Sequence, residues 1–190
     1  MNLLIKNGQV IDPANKINDK LDILIEKDKI SKIAKSIKAE AAEVIDAKGL
    51  IVAPGLFDIH THLRQPGRED AEDFKSASRA AVKGGFTSIT AMPNTDPACD
   101  TRGIVEYIIS ESRKNATVNI FCAGAITKQR KGEELAEIAD MKDAGAVAIT
   151  DDGCSVKNAQ VMRKALEYAG MFKIPVMSHC EDTNLSQKAL

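Results

Sequence analysis

Pro54-Gly55-Leu56-Phe57-Asp58-Ile59-His60-Thr61-His62-Leu63-Arg64-Gln65-Pro66-Gly67 decides how the rest of the chain is read. Pro-Gly breakers bound the stretch on both sides, so residues 56–63 read as one strand. Alternation along a strand puts Asp58, His60 and His62 on one face and Phe57, Ile59 and Leu63 on the other. Two imidazoles two residues apart on a rigid strand can reach one metal ion, and nitrogen ligands suit zinc. Arg64 follows where the strand becomes a loop, and its planar fork suits a carboxylate. A bare His-x-His is equally compatible with two ordinary histidines. The remaining sequence decides between the two.

Downstream of this stretch the chain alternates between strand and helix signals. Residues 72–84 carry Phe74, Ala77, Ala81 and Val82 at helical spacing and end at Gly84-Gly85. Residues 86–92 read as a second strand. Thr101 can cap a helix with Ile104, Val105, Ile108 and Ile109 on one stripe. Residues 118–123 read as a third strand, 133–144 as a helix with acidic residues in its first turn, 147–150 as a fourth strand and 159–172 as a further helix. A fifth strand starts at Pro175, and a fifth helix is due over 184–190.

Strands thus recur about every 30 residues, the length of one βα unit. Parallel strands with helices outside follow, as a doubly wound sheet or a (β/α)8 barrel. No glycine-rich phosphate loop follows any strand, which counts against a nucleotide-binding open sheet. Polar residues cluster instead at the C-terminal strand ends, where barrel sites sit. His60 and His62 end the first strand, Asn94 follows the second, Asp151 and Asp152 end the fourth, and His179 ends the fifth. All 3 histidines of the chain lie at those ends. The fold expected is α/β: an incomplete (β/α)8 barrel of about four and a half units over 54–190, since a whole barrel takes roughly 250 residues. Such a half barrel leaves unpaired edges, so the chain is expected to be part of a longer protein or to require a partner.

Residues 1–53 carry six short β-rich runs, from Leu3-Leu4-Ile5-Lys6 to Leu50-Ile51-Val52-Ala53, separated by turn residues such as Asn7-Gly8 and Lys48-Gly49. They read as a meander forming a β-sandwich segment, with the charged stretch Lys35–Glu43 as a solvated loop.

Bulk composition narrows the function classes. The 190 residues carry 26 basic and 27 acidic side chains, so neither nucleic acid nor anionic lipid is an expected partner. Hydrophobic residues are 44% and aromatics only 4%, so the core is expected to be aliphatic. No apolar run approaches the ~18 residues of a membrane helix, and the polar start does not read as a signal peptide. Cys99, Cys122, Cys154 and Cys180 form no Cys-x-x-Cys pair and suit reduced thiols in a cytoplasmic protein, each read first as a small buried hydrophobe.

His60-Thr61-His62-Leu63-Arg64-Gln65-Pro66-Gly67, Met92-Pro93-Asn94-Thr95, Thr150-Asp151-Asp152-Gly153 and Ser178-His179-Cys180-Glu181 together resemble the dihydroorotases of the longer, bacterial type, in the amidohydrolase superfamily. The resemblance runs the whole length of the chain. It implies that His60 and His62 bind one zinc ion, that Asp152 bridges two metals where many relatives use a carboxylated lysine, and that His179 binds the second. Asp151 is the competing choice for the bridge. Arg64 and Asn94 correspond to groups that hold the substrate carboxylate; an Asx turn beside Pro93 is the ordinary alternative for Asn94. The activity implied is reversible, zinc-dependent ring opening of L-dihydroorotate to N-carbamoyl-L-aspartate in pyrimidine synthesis. The family's catalytic aspartate lies after its strand eight and a further histidine ligand on its strand six. Neither has a counterpart among these residues, so no catalytic base is expected within the chain, and weak metal binding without turnover is expected of it alone. Allantoinase or hydantoinase chemistry, or an inactive scaffold docked on a transcarbamoylase, are the alternatives. A homo-oligomer is compatible with all of them.

Overall fold

The computed structural model describes residues 2–39 and 42–186. The chain divides into two compact units, Met1–Gly55 and Leu56–Leu190.

In the first unit, β1 (Leu3–Asp12) pairs antiparallel with β2 (Ile17–Glu26), which pairs with β3 (Lys29–Ala34). On its other side β1 takes β4 (Glu43–Asp46) and β5 (Ile51–Val52), both parallel. This is not a plain meander. Nor do the described residues form the second layer of a β-sandwich: they make one five-stranded sheet. Asn7-Gly8, expected as a turn, lies inside one continuous strand. Asn7 takes φ 62° and the register shifts between Ile5 and Gly8, so the extra residue is absorbed as a bulge. The Asn7 amide nitrogen Nδ2 donates to Asp46 Oδ1 at 2.8 Å, and its backbone N–H donates to the buried Asp22 at 3.0 Å. A Cβ on Gly8 would stand 2.5 Å from Val52 Cγ2, so a side chain there would push β5 away. Glu40 and Ala41, in the stretch expected as a solvated loop, lie outside the described residues. Ile37 in the same stretch is buried, and its N–H donates to Asp22.

In the second unit, β6 (Leu56–Thr61), β7 (Phe86–Ala91), β8 (Asn119–Gly124) and β9 (Ala148–Ile149) form a parallel sheet in that order. A single parallel bridge, Ile149 to Val176, continues it, in place of the expected full fifth strand. α1 (Phe74–Lys83), α2 (Arg102–Asn115), α3 (Ile138–Asp143) and α4 (Ala159–Met171) connect the strands. A short α5 (Thr183–Ser186) follows; residues 187–190 of the expected last helix lie outside the described residues.

Local chemistry explains the helix ends. Asp73 caps α1 by accepting from the Ser76 N–H at 2.7 Å, and Asn158 caps α4 from Gln160 at 2.9 Å. Thr101 precedes α2 in an extended conformation but makes no side-chain cap. α3 is shorter than its periodicity suggests. Residues ahead of it are spent on a 3-10 turn, Lys128–Arg130, and on an antiparallel bridge from Thr127 to Leu135. Between helices and sheet, Phe74, Val105, Ile108, Ile138, Met141 and Ile149 are wholly buried. Each contributes about 1.5–3 kcal/mol by leaving water. The core is aliphatic as expected, with Phe74 as its aromatic exception. Met92, Ala123 and Ala148 form a smaller cluster with Met177.

Cys99 and Cys122 are buried with their sulfurs 3.5 Å apart, while Cys154 and Cys180 are exposed, against the expectation of burial. Among the described residues, no helix is long and apolar enough to cross a membrane.

Candidate metal centre

Three of the four parallel strands, β6, β7 and β9, deliver polar site residues at or just after their C-terminal ends. His60 is the penultimate residue of β6 and His62 lies just beyond it; Asn94 follows β7 and Asp152 follows β9. His179 follows the bridge at Val176.

Simple alternation does not hold along β6. Asp58 is in register with Ile89 and Thr61 with Ala91, so β6 spends one more residue than β7 between those pairs. The bulge separates Asp58 from the imidazoles. Its carboxylate accepts from the His60 N–H at 3.0 Å instead. Phe57 reaches across to Phe121, with ring centroids 5.2 Å apart.

Asp152 is the centre of the site. Its carboxylate is buried, with Oδ1 3.1 Å from His60 Nε2 and Oδ2 3.6 Å from His62 Nε2. One ligand atom from each of His60, His62 and Asp152 lies within 4.8 Å of the others. Two imidazole nitrogens and a carboxylate oxygen at this spacing fit a divalent transition metal. His179 stands one step out: Nδ1 is 3.6 Å from Asp152 Oδ1 and Nε2 is 3.0 Å from Glu181 Oε2. His62 Nδ1 meets Asn94 Oδ1 at 3.0 Å. Asn94 Nδ2 lies 2.9 Å from the same Nδ1, so the ring's tautomer decides which end of the amide is its partner.

Asp151 has a different task. Its Oδ1 accepts from the backbone N–H groups of Ile126 at 2.8 Å and Thr127 at 3.0 Å, and its Oδ2 accepts from the Thr127 hydroxyl. Burial pushes its carboxyl above the ordinary range, against the pull of those hydrogen bonds. Asp152, not Asp151, faces the imidazoles.

Arg64 sits on the loop after β6 in the left-handed region, φ 58°, half-buried. Among the described residues its guanidinium makes no hydrogen bond or ion pair. Gln65 fixes the loop beside it, accepting from Phe74 N at 3.1 Å and donating to the Tyr107 hydroxyl at 3.2 Å. The loops carrying Arg64 and Asn94 are joined, because Asp96 N donates to Pro66 O at 3.0 Å. Cys180, next to His179, is exposed and donates to Ser178 O.

Two participants have no role in the sequence-based expectations. Glu181, beside His179, accepts from its ring. Arg130 lies in a charged run, yet its Nη1 donates to the Asp152 backbone carbonyl at 2.8 Å. A concavity of about 490 Å³ beside the centre is lined by Ser155, Lys157, His179 and Glu181. A larger one, about 1060 Å³, opens at the other end of the strands, among Phe86, Val118 and Val147, away from the imidazoles.

The family described as dihydro-orotase-like matches residues 49–190. Proteins named dihydroorotase from Solibacter usitatus and Sulfurihydrogenibium sp. are each 52% identical, over 98% and 99% of this chain. One from Aquifex aeolicus is 50% identical over 98%. The chain spans 43–45% of the length of these relatives. Among solved structures, an L-hydantoinase from Arthrobacter aurescens superposes with a TM-score of 0.84 at 22% identity, over 97% of this chain and 42% of its own. A dihydroorotase does so with a TM-score of 0.62 at 16% identity, over 95% of this chain and 51% of its own. Both likenesses are of fold. With its strand-end site and a match covering residues 49–190, the chain belongs to the dihydro-orotase-like family.

Proposed function

We propose that the whole protein carrying these residues is a dihydroorotase, opening and closing the cyclic amide between L-dihydroorotate and N-carbamoyl-L-aspartate on a zinc centre inside a (β/α)8 barrel. The observation that carries the reading is the group His60, His62 and Asp152, whose ligand atoms lie within 4.8 Å, in a chain 52% identical to proteins of that name. His60, His62 and the buried carboxylate of Asp152, with Oδ1 toward His60 and Oδ2 toward His62, would hold the metal. His179 Nδ1 lies 3.6 Å from the same Oδ1 that faces His60, so His179 with Asp152 would hold a second ion. Bound there, zinc supplies Lewis acidity at the amide carbonyl and acidifies water. The chain's own residues bind and orient. Arg64 has no protein partner among the described residues, so its fork is free for the substrate carboxylate. Asn94, whose amide meets His62 Nδ1 through either end, would turn the end that His62 does not use to the same group. Four free thiols support the reading of a reducing compartment, the cytoplasm.

The second reading, hydantoin hydrolysis, draws on the fold likeness to an L-hydantoinase. Arg64, two residues after His62 and without a side-chain partner among the described residues, favours the substrate that carries a carboxylate. Ring opening of dihydroorotate, hydantoin and allantoin by the purified whole protein separates the two. Turnover of dihydroorotate, abolished by H60A and weakened at least 100-fold in kcat/KM by R64M, is expected. Preference for hydantoin, or indifference to R64M, would overturn the assignment.

A further inference from the structure

We propose that Arg130 is a positioning residue for the metal centre: its guanidinium holds the turn at Asp151–Cys154 so that the Asp152 carboxylate stays between His60, His62 and His179. The proposal rests on the reading of that cluster as a metal site.

The contacts are specific. Nη1 donates to the Asp152 carbonyl at 2.8 Å and lies 3.9 Å from Cys154 Sγ. Gly153, between them, takes φ 80°, a conformation from which a turn without outside support readily departs. The same loop grips the turn a second time through Thr127, whose hydroxyl donates to Asp151 and accepts from Gly132 N at 2.8 Å. Asp151 is thus fixed by its side chain and Asp152 by its backbone. The carboxylate of Asp152 is left free for the imidazoles.

Two costs mark the placement of Arg130 as selected by something other than stability. Gln129 and Arg130 both lie in the left-handed region, φ 53° and 58°, which L side chains avoid. Arg130 Nε is buried with no hydrogen-bond partner among the described residues. An unsatisfied buried donor costs about 1–3 kcal/mol, and such atoms in a native fold call for an explanation. Here, orienting the one carboxylate common to all three histidines supplies it. Outer partners of metal ligands change affinity by about 10–100-fold when removed.

The test is cobalt binding by the 190-residue chain, read from the visible absorption of Co²⁺ and by competition with a chelator. Wild type is compared with R130M and R130K, and each is also unfolded in urea without metal. R130M is expected to keep its metal-free unfolding transition and to bind Co²⁺ about 10–100-fold more weakly, with an altered spectrum. R130K, whose ammonium can donate to the same carbonyl, is expected to recover most of the affinity. Wild-type affinity and spectrum in R130M would overturn the proposal. So would loss of the metal-free fold in R130M with R130K no better, which would make the guanidinium a general stabiliser. A wild-type chain that gives no Co²⁺ spectrum would instead fail the metal reading itself, and the proposal with it.

Discussion

Asp151 and Asp152 are neighbours in sequence and do opposite work. Asp151 accepts three hydrogen bonds from Ile126 and Thr127 inside the protein; Asp152 faces the imidazoles. Removing the first carboxylate leaves three buried donors unsatisfied, each worth about 1–3 kcal/mol. D151A is therefore expected to lose about 3 kcal/mol or more in metal-free urea unfolding. D152A leaves histidines that are partly exposed and can reach solvent, so its cost is expected below about 1 kcal/mol, while Co²⁺ binding disappears. Equal destabilisation by both would refute this division. The sequence places both aspartates at a strand end but cannot say which faces inward. That depends on the backbone amides of residues 126–127, 24 and 25 positions away. Arg130 was illegible for the same reason: its value comes from a long-range contact made through two left-handed residues.

At the scale of elements, apolar runs and glycine breakers mark the strands and helices well, because both signals are local. What they miss is where a residue is inserted. A bulge in β1 turns two expected strands into one, and a bulge in β6 breaks the alternation that would have put Asp58 beside the histidines. Caps are more legible, and α1 can be tested through its own. The Ser76 backbone N–H bonded to the Asp73 carboxylate lowers its pKa below the ordinary 3.8. A lowered folded pKa means that the cap's contribution is whole above that ordinary value and is lost as pH falls through the folded one. D73A is expected to cost about 1 kcal/mol at neutral pH. The gap to wild type should close on acidification below pH 3.8; a gap unchanged to pH 2 would rule out the carboxylate as its source. The loops bearing Arg64 and Asn94 offer a second test. Gly67 takes φ 98°, and a Cβ there would stand 2.0 Å from Asp96 O. G67A must part the two loops. It is expected to cost at least about 2 kcal/mol, and in the whole protein to raise KM for a carboxylate substrate more than it lowers kcat. An unchanged KM would mean that the two loops do not act together on substrate.

For the molecule as a whole, the question is what the chain shows to solvent. Single exposed apolar residues are ordinary on any protein, but a contiguous patch is not. Leu56, Phe57 and Ile59 are 53%, 50% and 61% exposed, and all lie on β6. That strand is the edge of the parallel sheet among the described residues, with open backbone groups along one side. Curated relatives are more than twice as long as this chain, so they have further residues with which to cover the corresponding face. The 190-residue chain studied alone is accordingly expected to enhance the fluorescence of an apolar dye such as ANS. It should also associate in sedimentation as its concentration rises. The double substitution F57S/I59S should reduce both signals while leaving His60, His62 and Asp152, and hence Co²⁺ affinity, within about threefold of wild type. Association and dye binding that survive the double substitution would locate the sticky surface elsewhere. The exposed isoleucines of the first unit, Ile30 and Ile51, would then be the next to replace.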